Sequence, residues 1–321
     1  MTCIPHYASI AFCDELYRER RGGIAELSAG TDAGSLRRSQ DRGRRTCCST
    51  YHIEERLLEM RFLNDFKQYY RYSRYAAKSA LNAEVAGSYL NWLWWVFNPL
   101  CMMFVYSFVF GYVFGGRLEY FEIFTFSGIT LWNFFATTVT ESVRLVKKNK
   151  SIVTKVYLPK FVLVVTQMRV QWVKMLISFA IVVGMLAVFR VPLTLNIFWT
   201  IPTVITLFLL TFGVSCVILH FGVFVEDLNN VVRILLRFAF YATGVFYSIE
   251  DRLGKKNPVW AHRMLLYNPM ALLLDSFRKA LLYGQTPHYK WIGAWFVVSL
   301  IISVIGVRLI YRYENSYAKI I

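Results

Sequence analysis

Apolar residues run along this chain in blocks about as long as a bilayer is thick, parted by short polar and basic stretches. A spanning helix needs about 20 mostly apolar residues. Six blocks reach or approach that length, at about 92–114, 121–143, 161–189, 197–225, 231–247 and 291–310. Trp92, Trp94 and Trp95 open the first as an interfacial belt would. Gly115, Gly116 and Arg117 turn the chain after it, and Arg190, Pro192 and Asn196 turn it after the third. The pattern predicts an all-α polytopic membrane protein with six transmembrane helices.

Two segments carry helical spacing without a spanning block. In 60–90, Phe62, Phe66, Tyr69 and Tyr70 alternate with Lys67, Arg71, Arg74 and Lys78, which predicts an amphipathic helix lying in the cytoplasmic membrane interface. Between the fifth and sixth blocks, WAHRMLLYNPMALLLDSFRKALLYG holds two short helical patterns broken at Asn268-Pro269. Pro269 disfavours α geometry at Asn268 and suits a new helix start. Met270, Leu273, Leu274, Phe277 and Leu281 then repeat at helical spacing, and Gly284 ends the run. The second piece is too short to cross the hydrocarbon, which predicts a re-entrant or interfacial outer hairpin.

Charge assigns the sides. Of 321 residues, 56% are hydrophobic and the formal net charge is +16, so the basic residues must sit between the apolar blocks. Arg144, Lys147, Lys148, Lys150, Lys155 and Lys160 follow the second block, Arg233 and Arg237 open the fifth, and Arg312 and Lys319 end the chain. All fall on one side in a six-span count, the side of both termini, which the positive-inside rule makes cytoplasmic. The last outer segment, with Arg252, Lys255, Lys256, Arg263, Arg278, Lys279 and Lys290, runs against that rule; long polar segments translocate despite charge. No basic stripe on a soluble fold is present, which argues against nucleic acid as a partner.

Residues 1–59 differ in kind: they contain arginine but no lysine, and SAGTDAGSLRRSQDRGRRTCCST has no helical or strand period. Such a stretch is expected to be disordered. The break in composition favours a mis-assigned upstream start, with the natural protein beginning at Met60; a basic arm on the membrane surface is the alternative. The six cysteines form no CxxC pair and no Cys/His cluster with metal spacing. Glu226-Asp227 interrupts the apolar pattern after the fourth block. Acid/base chemistry is one reading of this pair. The preferred one is a turn in which Asp227 or Asn229 caps the fifth helix.

Taken in order, these features resemble the permease subunit of an ABC-2 type transporter: six spans, an interfacial N-terminal helix, a basic loop after span two, an acidic break after span four, and NPM-x4-DSFRKALLYG. The branch they look most like exports bacterial polysaccharide, namely O-antigen of lipopolysaccharide, capsule or teichoic acid. The resemblance runs from Met60 to the C-terminus, with 91–321 as the ABC-2 transmembrane domain. It implies that Lys150–Lys160 contains a coupling helix docking on an ATPase through Lys155, Val156, Tyr157, Leu158, Pro159 and Lys160. It implies a cytoplasmic gate or turn at Glu226 and Asp227, and an outer gate shaped by Asn268, Pro269, Asp275 and Arg278. Tyr106, Phe110, Tyr112 and Phe134, with Phe114 and Phe135, would lie along the translocation path.

The chain has no GxxxxGK[ST] loop, so the resemblance implies a separate cytoplasmic P-loop ATPase that uses ATP and Mg, with no cofactor or metal held by this chain. It further implies a permease homodimer in the bacterial inner membrane and a lipid-linked glycan substrate, whose pyrophosphate Arg71, Arg74, Lys147 or Lys148 would attract. Three readings compete. One is a membrane glycosyl- or acyltransferase using His220, Glu226, Asp227 or His262. Another is an ABC-2 exporter of a drug or lipid. The third is a secondary transporter using His220 or Lys174.

Overall fold

The computed structural model describes residues 61–86, 92–113, 120–192, 194–250 and 257–320. The expectations for 1–59, Phe114 and the Gly115–Arg117 turn lie outside the described residues. The described residues are mostly helical, with no strand among them. Helix α1 covers 61–85. Contacts divide the chain after Gln68. Up to that point, Phe62 stacks on Phe66 at 6.2 Å and Arg61 pairs with Asp65 at 3.8 Å, both one turn apart.

From Tyr69 onward the chain forms a helical bundle. The long elements are α2 (Leu93–Tyr106, continued by a π-helical stretch Ser107–Val113), α3 (Phe121–Ser142), α6 (Lys160–Val188), α7 (Thr200–Phe224) and α11 (Tyr289–Ile320). Short helices α4 (Leu145–Lys148) and α5 (Lys150–Val153) lie between α3 and α6. Helix α8 (Leu228–Ala242) follows α7, and α9 (Pro258–Tyr267) and α10 (Pro269–Leu281) make the hairpin before α11.

Among the described residues, four helices are long and apolar enough to cross a membrane: Leu93–Phe110, Lys160–Val188, Leu195–Phe224 and Tyr289–Glu314. The other two expected spans differ. Helix α3 has the length, but its Thr, Ser, Asn and Glu content keeps it out of that set; 16 of its 22 residues are buried, so protein rather than lipid surrounds it. Its hydroxyls bond back into the helix, Thr130 to the Phe126 carbonyl, Thr138 to Phe134 and Ser142 to Thr138. Helix α8 has 15 residues where 231–247 was expected, and ends at Thr243 and Gly244, whose φ of 69° only glycine adopts readily.

Small residues set the closest helix approach. Gly213 and Gly306 bring α7 and α11 into backbone contact, and the Ser303 hydroxyl donates across the seam to the Leu209 carbonyl at 3.0 Å. At the far end of α6, Arg190 occupies the left-handed position usually given to glycine (φ 51°), and the Val191 N–H closes the turn on the Leu186 carbonyl at 3.1 Å.

The hairpin breaks where Asn268-Pro269 predicts. The Asn268 side chain accepts from the Met270 and Ala271 N–H groups at 3.1 and 3.3 Å, a helix N-cap. Gly284, at φ 59°, ends α10, with the Gln285 N–H on the Lys279 carbonyl. Helix α10 is held to the core by Arg278. Its guanidinium is buried and donates to the Phe124, Gly244 and Val245 carbonyls at 3.1, 2.9 and 2.7 Å, and it stacks on the Phe124 ring at 3.6 Å. Gly128 leaves the space: a Cβ there would collide with the guanidinium.

Gly128→Val is therefore expected to destabilise the protein by about 1–3 kcal/mol through overpacking. Gly184→Ala, where a Cβ meets nothing within 4 Å, is expected to be neutral or slightly stabilising. Thermal unfolding of both variants in the same detergent checks the contrast.

Candidate functional site

The loop from α3 to α6 is braced from inside. Leu145 and Val146 of α4 are buried, and the Asn149 side chain donates back to the Leu145 carbonyl at 2.8 Å. After α5 the chain turns, and 156–159 run without regular structure into α6. The expected coupling residues divide into two groups here. Val156 and Tyr157 are exposed, and Ile152, one turn before Val156, joins them. Leu158 was expected to be an exposed knob; it is buried at 3% exposure, anchoring the loop instead. Lys155 is exposed, and Pro159 is the N-cap residue of α6.

Lys160 is buried against Glu314 of α11 at 3.0 Å, and the Tyr157 hydroxyl donates to the other Glu314 oxygen at 3.1 Å. Tyr69 donates to the Tyr157 carbonyl at 3.0 Å. The exposed pair thus rides on a frame tied to α1, α6 and α11. Sequence reading missed Glu314; its being the lone acid of the last apolar helix was the available signal.

Beside this loop, a cavity of about 640 Å³ is lined by Glu141, Arg144, Lys147, Glu226, Asp227 and Arg233, among others. Glu226 pairs with Lys147 at 3.5 Å, and Lys148 with Glu141 at 3.8 Å. Both pairs are largely exposed, so each is worth little. Asp227 stands at the N-cap position of α8 but makes no side-chain cap bond, contrary to the capping expectation, because its backbone is already helical (φ −79°, ψ −4°). Arg71 and Arg74 are exposed on α1.

At the opposite end, Asp275 and Lys279 pair at 2.9 Å and Lys279 also meets Glu250 at 3.0 Å. Burial pushes the Asp275 carboxyl above its usual range, with Lys279 opposing. Burial also works against charge on Lys279, but the two carboxylates outweigh it and hold its pKa above the ordinary value. Glu250, Asp275 and His288 offer ligand atoms within 4.8 Å of one another, but the Lys279 ammonium already bridges the two carboxylates. Of the expected outer-gate residues, Arg278 is thus a buried tie, Asn268 and Pro269 start a helix, and Asp275 faces Lys279.

The expected path aromatics do not form one surface. Tyr106 and Phe110 pack on Phe246, at 4.2 and 4.9 Å, with Phe240 beside them. Tyr112 is exposed and stacks on Phe108. Phe134 is fully buried against Phe208, a core residue, and Phe135 is buried too. His220 is buried and shares a 2.7 Å hydrogen bond with the Tyr317 hydroxyl, while His262 lies against His288. Lys174 is paired with Glu84 at 2.6 Å. These groups form no acid/base constellation.

A helical membrane domain with a braced, basic loop at one end and a buried-arginine hairpin at the other is built as the membrane subunit of a transporter. The chain belongs to the ABC-2 type transporter family, whose sequence profile matches residues 75–282. Two O-antigen export system permease proteins (RfbA) of Klebsiella pneumoniae are 27% and 24% identical to it over 242 residues, covering 75% of this chain and 91% of each relative. The protein of the same description from Myxococcus xanthus is 27% identical over 227 residues, 69% of this chain and 84% of its own.

Two predictions follow from the frame. Lys160→Met alone is expected to cost roughly 3–5 kcal/mol, because it strands the buried Glu314 carboxylate; adding Glu314→Leu is expected to recover most of that. A double-mutant cycle by thermal unfolding reads the coupling. Asp227→Ala, by contrast, is expected to leave stability within about 0.5 kcal/mol, since no cap bond is lost.

Proposed function

We propose that this chain is the permease subunit of an ABC transporter that exports a lipid-linked polysaccharide of the O-antigen class across the bacterial inner membrane. The observation that carries this is the likeness to O-antigen export permeases over most of both chains. In this reading α3 and α8 complete a six-span domain with both termini in the cytoplasm, and α9 and α10 form a re-entrant outer hairpin. The 22-residue length of α3 supports its part in that count. The 15 residues of α8 fall short of a crossing, and the Thr243–Tyr247 turn would extend its reach.

A separate cytoplasmic ATPase, with its ATP and Mg, drives transport by docking on the 150–160 loop. Exposed apolar side chains at Ile152, Val156 and Tyr157, amid lysines on a rigid frame, support a docking role rather than simple charge flanking. The permease works as a homodimer with the path between copies. The spanning window of α2 is only 6% buried within one chain, and its free surface supports such an interface.

Deleting the gene in its host is expected to strip the polysaccharide from the cell surface and leave lipid-linked glycan inside; unchanged surface display overturns the export reading. Docking is tested by co-purification from native membranes. Ile152→Asp with Val156→Asp is expected to lower recovery of the ATPase by about tenfold or more, some 1.4 kcal/mol or above, at unchanged permease level. Tyr157 and Leu158 are left intact in that variant because both also hold the loop together.

A further inference from the structure

Faces of α2, α3 and α6 converge on a second cavity, of about 310 Å³. That lies at the lower end of the range for small-molecule sites, roughly 300–1,000 Å³. Helix α2 contributes Trp95 and Asn98, α3 contributes Asn133 and Thr137 one turn apart, and α6 contributes Gln171 and Lys174. Two of these helices are apolar enough to span a membrane.

The hydrogen-bonding state of these residues sets them apart. Two other polar side chains at the cavity are served by their own helices: Thr130 donates to the Phe126 carbonyl and Ser178 to the Lys174 carbonyl. Among the described residues, Asn98, Asn133 and Gln171 have no side-chain hydrogen-bond partner; Asn98 and Asn133 are exposed at the mouth of the cavity. Gln171 is 93% buried, with a relative exposure of 7%. In a lipid setting each unmet amide group costs several kcal/mol. Pro99 adds to the demand, because it has no N–H to give the Trp95 carbonyl. The cavity therefore presents several donors and acceptors that no described residue meets.

Charge decides what kind of ligand fits. Lys174 is the only charged residue of the lining, and its ammonium is held by Glu84 at 2.6 Å and lies 5.7 Å from the Trp95 ring. The positive charge is neutralised, so the cavity offers an anion little. It offers three carboxamides, each able to give and accept, beside an indole. Vicinal hydroxyls of a sugar match the paired donor and acceptor of a carboxamide, and the C–H face of a pyranose fits an aromatic ring.

We infer that the cavity between α2, α3 and α6 is a binding site for a neutral saccharide segment, held by Asn98, Asn133 and Gln171 and stacked at Trp95. The inference rests on the export reading and adds to it: one permease chain holds a short stretch of glycan between three of its own helices.

Thiol protection tests this in the full-length permease in nanodiscs. Thr137→Cys is placed in a background with the native cysteines replaced by serine, and its labelling by a small maleimide is timed. Oligosaccharides cut from the host's own surface polysaccharide are expected to slow labelling severalfold, and inorganic pyrophosphate is not. Adding Gln171→Leu and Asn133→Leu is expected to abolish the protection while labelling without sugar stays brisk. Protection by pyrophosphate alone makes the cavity an anion site and overturns the inference. Absence of protection by either probe overturns it as well. The gene-deletion result is independent: loss of surface polysaccharide with no protection leaves export standing and removes this site, whereas protection with intact surface display does the reverse.

Discussion

A buried arginine bonded to three main-chain carbonyls holds one end of this domain together. Gly244 and Val245 follow the end of α8, where carbonyls have no helical partner, and the negative end of a helix favours a cation. Arg278 meets both, and reaches Phe124 in the first turn of α3 at the same time. Three charge-assisted bonds and a stacked ring offset the cost of burying the guanidinium. The consequence is mechanical: α10, the end of α8 and the start of α3 are tied at one point, so a hairpin that moved would carry all three. The neighbouring Asp275–Lys279–Glu250 cluster is less buried, and its ammonium and carboxylates can exchange partners without breaking that tie.

The opposite end depends on a different buried group. Glu314 accepts from Lys160 at the root of α6 and from Tyr157 in the loop, and thereby joins the last helix to the segment expected to meet an ATPase. A buried ion pair contributes little net stability but punishes the loss of either member. Its value here is geometric. A loop that carried its exposed side chains on a soft tether would absorb a push; one tied to two long helices passes it on.

Helix order, the hairpin break and the basic loop were all legible in the sequence, because periodicity, Asn268-Pro269 and lysine clustering are local signals. What was not legible depended on neighbours. A run reading Val156, Tyr157, Leu158 shows three apolar knobs, but only the fold reveals that Leu158 points inward while Val156 stays exposed. Phe134 is a buried residue packed on Phe208 that also lines the cavity between α2, α3 and α6, a placement its sequence neighbours do not show. The fifth span came out short because apolar residues continue past Ala242 even though Gly244 turns the backbone. Asp227 has a capping residue's identity without a capping residue's backbone, a distinction that composition does not carry.

Polar residues within the long helices sort by what they can do for themselves. A threonine or serine hydroxyl reaches the carbonyl one turn back, and Thr130, Thr138, Thr166, Thr203, Thr206 and Thr211 all do so. Such residues are cheap in a membrane helix and say little about function. A carboxamide carries two donors and an acceptor on a planar head, more than one backbone carbonyl can satisfy. Asn98, Asn133 and Gln171 are of that kind, and they fall on three different helices yet line one cavity. Chance would scatter such groups around the bundle. Their convergence beside a charge already neutralised by Glu84 is the pattern expected where a membrane domain must hold something polar and uncharged.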